Sequence, residues 1–295
     1  MESFPLSHRD VRLCLLGIGA GLLALHLTLS WRLDDDQLIS NSLLLWIGTC
    51  YLIWHKRSQI HPQFDKSNLL GLLPIGFVLL RSSFLPNGSF LAVLPLLAAL
   101  GLALLTSGFR GLVAFWRELV ILACLALPVA LFLFVTFDIS IYTAKVASFV
   151  LWYAGKPLRL EGAILYLGQG AVNVAGGCSG QEQIFHLFGI AVMACLIFPF
   201  RRCWVMLGVA IAIAFVINAL RVCLMTLLVA AGNQTGFVYW HDGSGSLLFS
   251  MISVGIFGWI YSEFSNAGFS DATLNDPGLS QAELASHDAF HEGQR

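Results

Sequence analysis

Residues 176–200 read GGCSGQEQIFHLFGIAVMACLIFPF, a glycine-rich polar segment that runs directly into an apolar stretch. The apolar stretch is long enough for a helix to cross the hydrocarbon core of a bilayer, which needs about 17 to 25 residues. Two cations, Arg201 and Arg202, follow it. We therefore predict a membrane-spanning helix over residues 183–200, entered through a segment of small residues around Cys178.

The whole chain is strongly apolar. Of its 295 residues, 57% are hydrophobic and only 11% are charged, whereas a soluble domain carries about 25% charged residues. The formal net charge is −1, so no basic surface is predicted for nucleic acid. The seven cysteines include no Cys-x-x-Cys pair, and the sequence predicts neither a disulfide framework nor a metal or cofactor site.

Apolar runs recur along the chain and predict an all-α, polytopic transmembrane helical bundle of about eight spans. The predicted spans cover residues 13–30, 38–54, 69–80, 90–106, 119–137, 183–200, 203–231 and 246–264. They belong to a single integral membrane domain, residues 1–264. Residues 265–295 are polar and predict a disordered cytoplasmic tail.

The segment before Cys178 differs from the spans. Residues 139–153 carry apolar residues at mixed helical spacing around Lys145, which suits a helix lying at the membrane interface. Residues 158–174 alternate loosely between apolar and polar positions and contain three glycines. We predict a small hairpin there, on the outer face of the membrane.

Lysines and arginines outside the spans are unevenly distributed between the two sides of the membrane. With the N-terminus in the cytoplasm, ten fall on the inner side and five on the outer side. The inner set is Arg9, Arg12, Lys56, Arg57, Lys66, Arg110, Arg117, Arg201, Arg202 and Arg295, and the outer set is Arg32, Arg81, Lys145, Lys156 and Arg159. Because cytoplasmic loops carry the excess of cations, we predict both termini in the cytoplasm and Cys178 on the outer face.

Cys178 stands in a polar setting, whereas the other six cysteines fall within apolar runs. At the first turn of the sixth span, unpaired backbone N–H groups and the helix dipole favour an anion and would stabilise a thiolate. Its small neighbours, Ser179 and Gly180, are expected to leave the sulfur accessible. Cys178 is therefore the candidate nucleophile.

The side chains of Arg221 and His241 are predicted at the same depth in the membrane as Cys178. Arg221 lies in the seventh span, roughly 27 Å along a helix that starts at its inner end, and Asn218 precedes it by one turn. An ionisable group inside a span is a functional candidate. His241 follows in a polar turn outside the eighth span, while the competing base, His186, would lie deeper than the sulfur. A thiol, an imidazole and a guanidinium at one level supply a nucleophile, a base and a cation for developing negative charge.

The order Cys178-Ser179-Gly180, then Asn218-Ala219-Leu220-Arg221, then His241 resembles the motifs of the exosortase/archaeosortase family of membrane cysteine transpeptidases. The resemblance covers roughly residues 119–264, and the first four spans match only in being hydrophobic. The Gly-Gly pair before Cys178 and the overall length are similar to those of the cyanobacterial branch.

The resemblance implies a protease that cleaves the C-terminal sorting signal of exported proteins: a short Pro-Glu-Pro-like motif, a membrane helix and a basic tail. A Cys178 thioester would form and then pass to an acceptor, such as an exopolysaccharide or a lipid-linked surface component, in a bacterial plasma membrane. The implied roles are Cys178 as nucleophile, Arg221 as oxyanion stabiliser and His241 as general base and acid, with Ser179, Gly180 and Asn218 in support.

Two other functions fit parts of the pattern. Gly177-Cys178-Ser179-Gly180 also matches the Gly-x-Ser-Gly motif of rhomboid-type intramembrane serine proteases, with Ser179 as nucleophile, although no upstream His/Asn pair accompanies it. A membrane transporter would use Arg221, His26 and several prolines to line a path, but no acidic residue lies in mid-span. We predict instead that His26 packs in the bundle and bonds to a neighbouring helix.

Overall fold

The computed structural model describes residues 8–33, 36–57, 66–84, 87–134, 138–241 and 243–275. Ten α-helices and one three-stranded sheet make up this part of the chain. The helices are α1 (His8–Arg32), α2 (Asp36–Lys56), α3 (Leu72–Ser82), α4 (Gly88–Ala114), α5 (Trp116–Phe134), α6 (Ser140–Tyr153), α7 (Gln181–Ile197), α8 (Cys203–Ala230), α9 (Gln234–His241) and α10 (Gly245–Asn275). The strands are β1 (Leu158–Glu161), β2 (Ile164–Leu167) and β3 (Gly170–Asn173). Two 3₁₀ turns, Lys66–Gly71 and Gly176–Cys178, precede α3 and α7.

Each predicted span overlaps a helix, although residues 69–71 of the third form a 3₁₀ turn and residues 135–137 of the fifth lie outside the described residues. The predicted all-α membrane bundle is confirmed as the fold class. Within the described residues, five helices are long and apolar enough to cross a membrane, namely α1, α2, α4, α8 and α10. The α3 segment and α7 are apolar but shorter. That all eight segments cross the membrane stays a prediction.

Two helices, α4 and α10, continue well past the C-terminal ends of their predicted spans. α4 continues through a break at Ser107 and Gly108, where Gly108 takes the left-handed φ of +55°. α10 continues to Asn275, so the predicted tail over 265–295 begins as a helix. The remainder of that tail, residues 276–295, lies outside the described residues. The predicted spans were ended where the sequence becomes polar. Most polar residues lower helix stability only slightly, unlike glycine and proline, so a helix can continue through them.

Buried polar contacts determine how the first helices pair. The fully buried His26 of α1 accepts a hydrogen bond at Nδ1 from Trp46 Nε1 of α2, at 3.1 Å, which confirms the predicted bond to a neighbouring helix. Lys56 Nζ lies 2.9 Å from Glu118 Oε1 and joins the end of α2 to the start of α5. Because a buried carboxylate is costly without a cation, this ion pair favours one alignment of the two helices.

The predicted hairpin has one strand more than expected. Strands β1, β2 and β3 form an antiparallel meander in which two-residue connections join neighbouring strands. Each connection starts with a glycine at φ +60°, Gly162 and Gly168, a conformation that a side chain would strain. Leu165 and Val172 are buried beneath the sheet, and Leu165 packs in one apolar cluster with residues of α6 and α8. The sheet is thereby docked beside the turn that carries Cys178.

The helix predicted over 139–153 is present as α6. Asp138 Oδ1 accepts a hydrogen bond from the Ser140 N–H at 2.8 Å, which satisfies one of the free donors at the start of the helix. Hydrogen bonds from the Ser140 side chain and backbone lower the pKa of the Asp138 carboxyl. The face of α6 that contains Ala144 and Ala147 is fully buried, because these small side chains allow close packing against α8.

Candidate active site

Cys178 lies in a 3₁₀ turn before α7, and not in the first turn of that helix as predicted. Its N–H donates to the Ala175 carbonyl at 3.2 Å, and the Ser179 N–H donates to the Gly176 carbonyl at 3.0 Å. Gly176, at φ +55°, and Gly180, at φ +90°, bound the turn. Backbone that only glycine adopts readily therefore separates the cysteine from α7, so the helix start is not its immediate environment.

The structure brings Cys178 and His241 into direct contact, with 2.8 Å between Sγ and Nε2. The sulfur is not openly accessible, contrary to the expectation from its small neighbours, because Cys178 is only 3% exposed. It belongs to an apolar cluster with Val174 and Val222, against which Trp240 also packs. A thiol and an imidazole at this distance can share a proton, which is how a cysteine is activated as a nucleophile.

His241 ends a short helix, α9, where the sequence predicted a polar turn. Asn233 Oδ1 accepts a hydrogen bond from the Gly236 N–H at 2.8 Å and so caps the start of α9. The His241 ring stacks on Phe237 one turn earlier, with 5.1 Å between ring centroids and 20° between the planes. The cap and the stacked ring together direct the imidazole toward the cysteine turn.

Arg221 holds the other end of α9. Its Nη2 donates to the His241 carbonyl at 2.6 Å, and its Nε donates to the Trp240 carbonyl at 3.2 Å. The last carbonyls of a helix have no partner within it and attract cations. The guanidinium is therefore at the level of His241, as predicted, and these two bonds fix the backbone from which the imidazole projects.

Asn218 and Gly180 fit one another behind the cysteine. Asn218 is fully buried in α8, and its Nδ2 donates to the Cys178 carbonyl at 3.0 Å. A Cβ atom added to Gly180 would stand 2.5 Å from that Nδ2. Glycine is thus required at 180 both by its positive φ and by the approach of α8.

The Ser179 side chain bonds to the backbone at the start of α7. Its Oγ accepts a hydrogen bond from the Gln181 N–H at 3.3 Å, and its carbonyl accepts one from Thr143 Oγ1 at 2.8 Å. The hydrogen bonds of the hydroxyl among the described residues do not include one to His241. The geometry therefore pairs the imidazole with Cys178 rather than with the hydroxyl that a rhomboid-type mechanism needs.

Two residues that the sequence analysis did not single out connect this site to its surroundings. Thr143 of α6 holds the Ser179 carbonyl, and Gln183 of α7 donates to Ser253 Oγ of α10 at 2.7 Å. Both side chains are buried. The available signal was a polar residue in an apolar context, but spacing alone does not reveal which partner such a residue meets.

The competing base, His186, lies elsewhere. Together with Glu182 it lines a cavity of about 520 Å³ whose other walls belong to α2, α4 and α5. Among the residues that the structure describes, no three His, Cys, Asp or Glu side chains converge on a point that could hold a metal ion.

Comparison with known families gives a match. A family model described as transmembrane exosortase (Exosortase_EpsH) matches residues 31–258, more than half of the chain, and that range includes Cys178, Arg221 and His241. The match begins just after the first predicted span, well before the region over which the motifs resemble the family. No curated protein and no solved structure gives a match. The chain belongs to the transmembrane exosortase family.

Proposed function

We propose that the protein is a membrane-embedded cysteine transpeptidase that cleaves C-terminal sorting signals of exported proteins. The observation that carries the proposal is the 2.8 Å contact between Cys178 Sγ and His241 Nε2, in a chain of the exosortase family. Membership of the family supports the reaction class, and the contact supplies its two reacting groups.

The reaction proceeds in two acyl transfers. His241 accepts the thiol proton, and the Cys178 thiolate attacks the scissile carbonyl to form a tetrahedral oxyanion. Collapse of this intermediate breaks the C–N bond, and the imidazolium returns its proton to the departing amine. The resulting thioester is then attacked by an acceptor nucleophile, whose proton passes to His241 as the cysteine leaves.

Arg221 has two roles in this proposal. Its bonds to the Trp240 and His241 carbonyls hold the imidazole in place. We also assign to the guanidinium the donation of an N–H to the oxyanion as negative charge develops there. Placing a cation where negative charge develops is typically the largest single contribution of an active site to rate.

The substrate is proposed to carry a Pro-Glu-Pro-like motif, a membrane helix and a basic tail, and the acceptor to be an exopolysaccharide or a lipid-linked surface component. We place the site at the outer face of a bacterial plasma membrane, with both termini in the cytoplasm, and assign the chain to the cyanobacterial branch. A substrate helix in the same bilayer reaches this site by lateral diffusion.

The experiment measures the mass of a candidate exported protein in cells that express either the wild-type chain or a variant. Cys178→Ala should abolish processing, since loss of a catalytic nucleophile costs on the order of 10⁶-fold in rate elsewhere. The matched control is Cys223→Ala, which removes a second buried thiol from the same apolar cluster. Ser179→Ala should have a mild effect. Normal processing by Cys178→Ala would refute the cysteine mechanism.

Orientation has a separate test in intact cells. Lys156→Cys introduces a thiol in the exposed loop between α6 and β1, on the Cys178 side, and Arg201→Cys introduces one in the exposed turn between α7 and α8. A membrane-impermeant maleimide should label the first and spare the second until the membrane is opened. The reverse pattern would contradict the proposed topology.

A further inference from the structure

A crevice of about 750 Å³ opens between α1, α2, α4 and α5 at the end of the bundle opposite to Cys178. The directions of α2 and α7 show which end this is. Leu45 lies against Gly189 and Gly48 lies against Met193, so the two helices run in the same direction. α7 begins beside the cysteine turn. The crevice is lined by the last turns of α2, at the far end.

The mouth of this crevice is cationic. Arg12 and Arg57 line it, and the one acidic lining residue in the described ranges, Glu118, is already paired with Lys56 at 2.9 Å. Arg12 Nε is buried and has no hydrogen-bond partner among the described residues. A buried guanidinium donor without a partner costs free energy, and an anion bound at the mouth would recover it.

The interior of the crevice is apolar. Leu15, Leu23, Ala99, Leu102 and Leu122 form much of its wall. The cavity therefore combines arginine guanidinium groups, which suit a phosphate, at its mouth with a largely apolar interior. An occupant that satisfies both is an amphiphile with an anionic head and at least one hydrocarbon chain. A basic peptide, such as the tail of the proposed substrate, would be repelled by Arg12 and Arg57.

We infer that this crevice binds one anionic phospholipid, with the phosphate at Arg12 and Arg57 and an acyl chain between α1 and α4. The cations lie at the depth of lipid headgroups because they are at the ends of α1 and α2. In the orientation proposed above this is the cytoplasmic leaflet, whose anionic lipids attract Lys and Arg side chains near the surface. The inference does not depend on the chemistry at Cys178.

The test is a lipid titration of the purified protein in detergent, followed by native mass spectrometry. Phosphatidylglycerol and phosphatidylcholine with the same acyl chains are the probes. The double variant Arg12→Gln/Arg57→Gln should bind phosphatidylglycerol about 30-fold more weakly, because it loses two headgroup cations. The matched control Arg201→Gln/Arg202→Gln removes two exposed arginines from the same end of the bundle, away from the crevice. Its affinity should stay within about twofold of wild type.

A second variant tests the acyl-chain part of the site with the charges intact. Cys50 lines the crevice, and Cys50→Trp would fill part of it. This variant should lose phosphatidylglycerol binding by at least about tenfold while retaining its helical circular dichroism. Glycerol 3-phosphate, which carries the phosphate without a chain, should not compete.

Three outcomes would overturn the inference. The first is equal weakening by the two arginine double variants, which would mean a diffuse surface effect. The second is undiminished binding by Cys50→Trp, and the third is competition by glycerol 3-phosphate, either of which would mean a headgroup site without the crevice. Processing activity is measured separately, so a failure here leaves the proposed function untouched.

Discussion

At the Cys178 end of the bundle, Arg221 donates to two backbone carbonyls of α9, whereas at the opposite end Arg12 has a buried Nε with no hydrogen-bond partner in the described ranges. The first arginine is held by the chain itself and determines the position of a neighbouring helix. The second faces an apolar crevice lined by four helices. An arginine therefore positions a helix at one end of the bundle, whereas at the other end an arginine is available to bind a ligand.

The two ends also differ in their buried polar side chains. Around Cys178, Asn218 and Thr143 come from different helices and each donates to a carbonyl of the cysteine turn. Such bonds hold reacting groups in a set geometry before substrate arrives, which is where positioning contributes most to rate. At the other end the crevice walls are largely apolar and impose little orientation. Variants at the first end should therefore change turnover, and those at the second should change lipid binding.

The largest effect is expected for His241→Gln, which removes the group that contacts the sulfur. Turnover of a sorting-signal peptide should fall by about 10²- to 10⁴-fold, the contribution typical of a general base. His186→Gln is the matched control, because that imidazole lines the separate cavity with Glu182. If the His186 variant were the inactive one, the catalytic pairing and the contrast between the two regions would both be wrong.

Arg221→Lys is expected to lower turnover by about 100- to 1000-fold, as for the loss of one oxyanion donor. Lysine keeps the charge but lacks the planar fork that reaches two carbonyls. Turnover by the purified variant is measured together with its melting temperature. Near-normal turnover would make Arg221 an anchor of the helix end only, and would rule out its proposed role at the oxyanion.

Gly180→Ala should reduce turnover by about 10- to 100-fold, since displacement of reacting groups by about 1 Å has effects of this size. The added Cβ meets Asn218 Nδ2 and the residue must keep a left-handed φ. Gly177→Ala is the control, because no atom lies within 4 Å of its added Cβ and its φ is not in the left-handed region. Equal turnover by the two alanine variants would show that the approach of α8 does not control the cysteine turn.

The smallest effect is expected for Thr143→Val. It leaves the Ser179 carbonyl without its buried donor and should cost about 1 to 3 kcal/mol of stability, with a several-fold loss of turnover. Thr226→Val is the comparison: that buried hydroxyl bonds to Val222 of its own helix at 2.8 Å and does not touch the cysteine turn. A larger loss of turnover in the Thr226 variant would argue against a preorganised polar network around Cys178.

Apolar runs were sufficient to predict the helices, because a long hydrophobic segment has few alternatives in a bilayer. The end of α4 was less predictable. Its polar break at Ser107 and Gly108 ends the predicted span, yet the helix resumes after it. The third strand was also not predicted. Two glycine turns within eight residues leave only short stretches in which apolar and polar residues can alternate, so the strand pattern is weak.

Short local structures around the site were the least predictable. The helix ending at His241 depends on a cap by Asn233 and on Arg221, which is distant in sequence. The 3₁₀ turn at Cys178 depends on glycine conformations and on the Asn218 side chain of another helix. The contacts made by Arg221 and Asn218 are long-range, so hydrophobic periodicity, a local signal, does not encode them.

By itself, the sequence determined that this chain forms a helical membrane bundle, and the order of its Cys, Asn-x-x-Arg and His motifs predicted the family to which it belongs. Hydrophobicity and motif order are one-dimensional properties, readable without any contact. Only the tertiary structure decided that Cys178 Sγ lies 2.8 Å from His241 Nε2, that Arg221 binds the end of α9, and that Arg12 faces an apolar crevice. Those outcomes depend on which helix faces pack together, and packing is a property of the whole bundle rather than of any one segment.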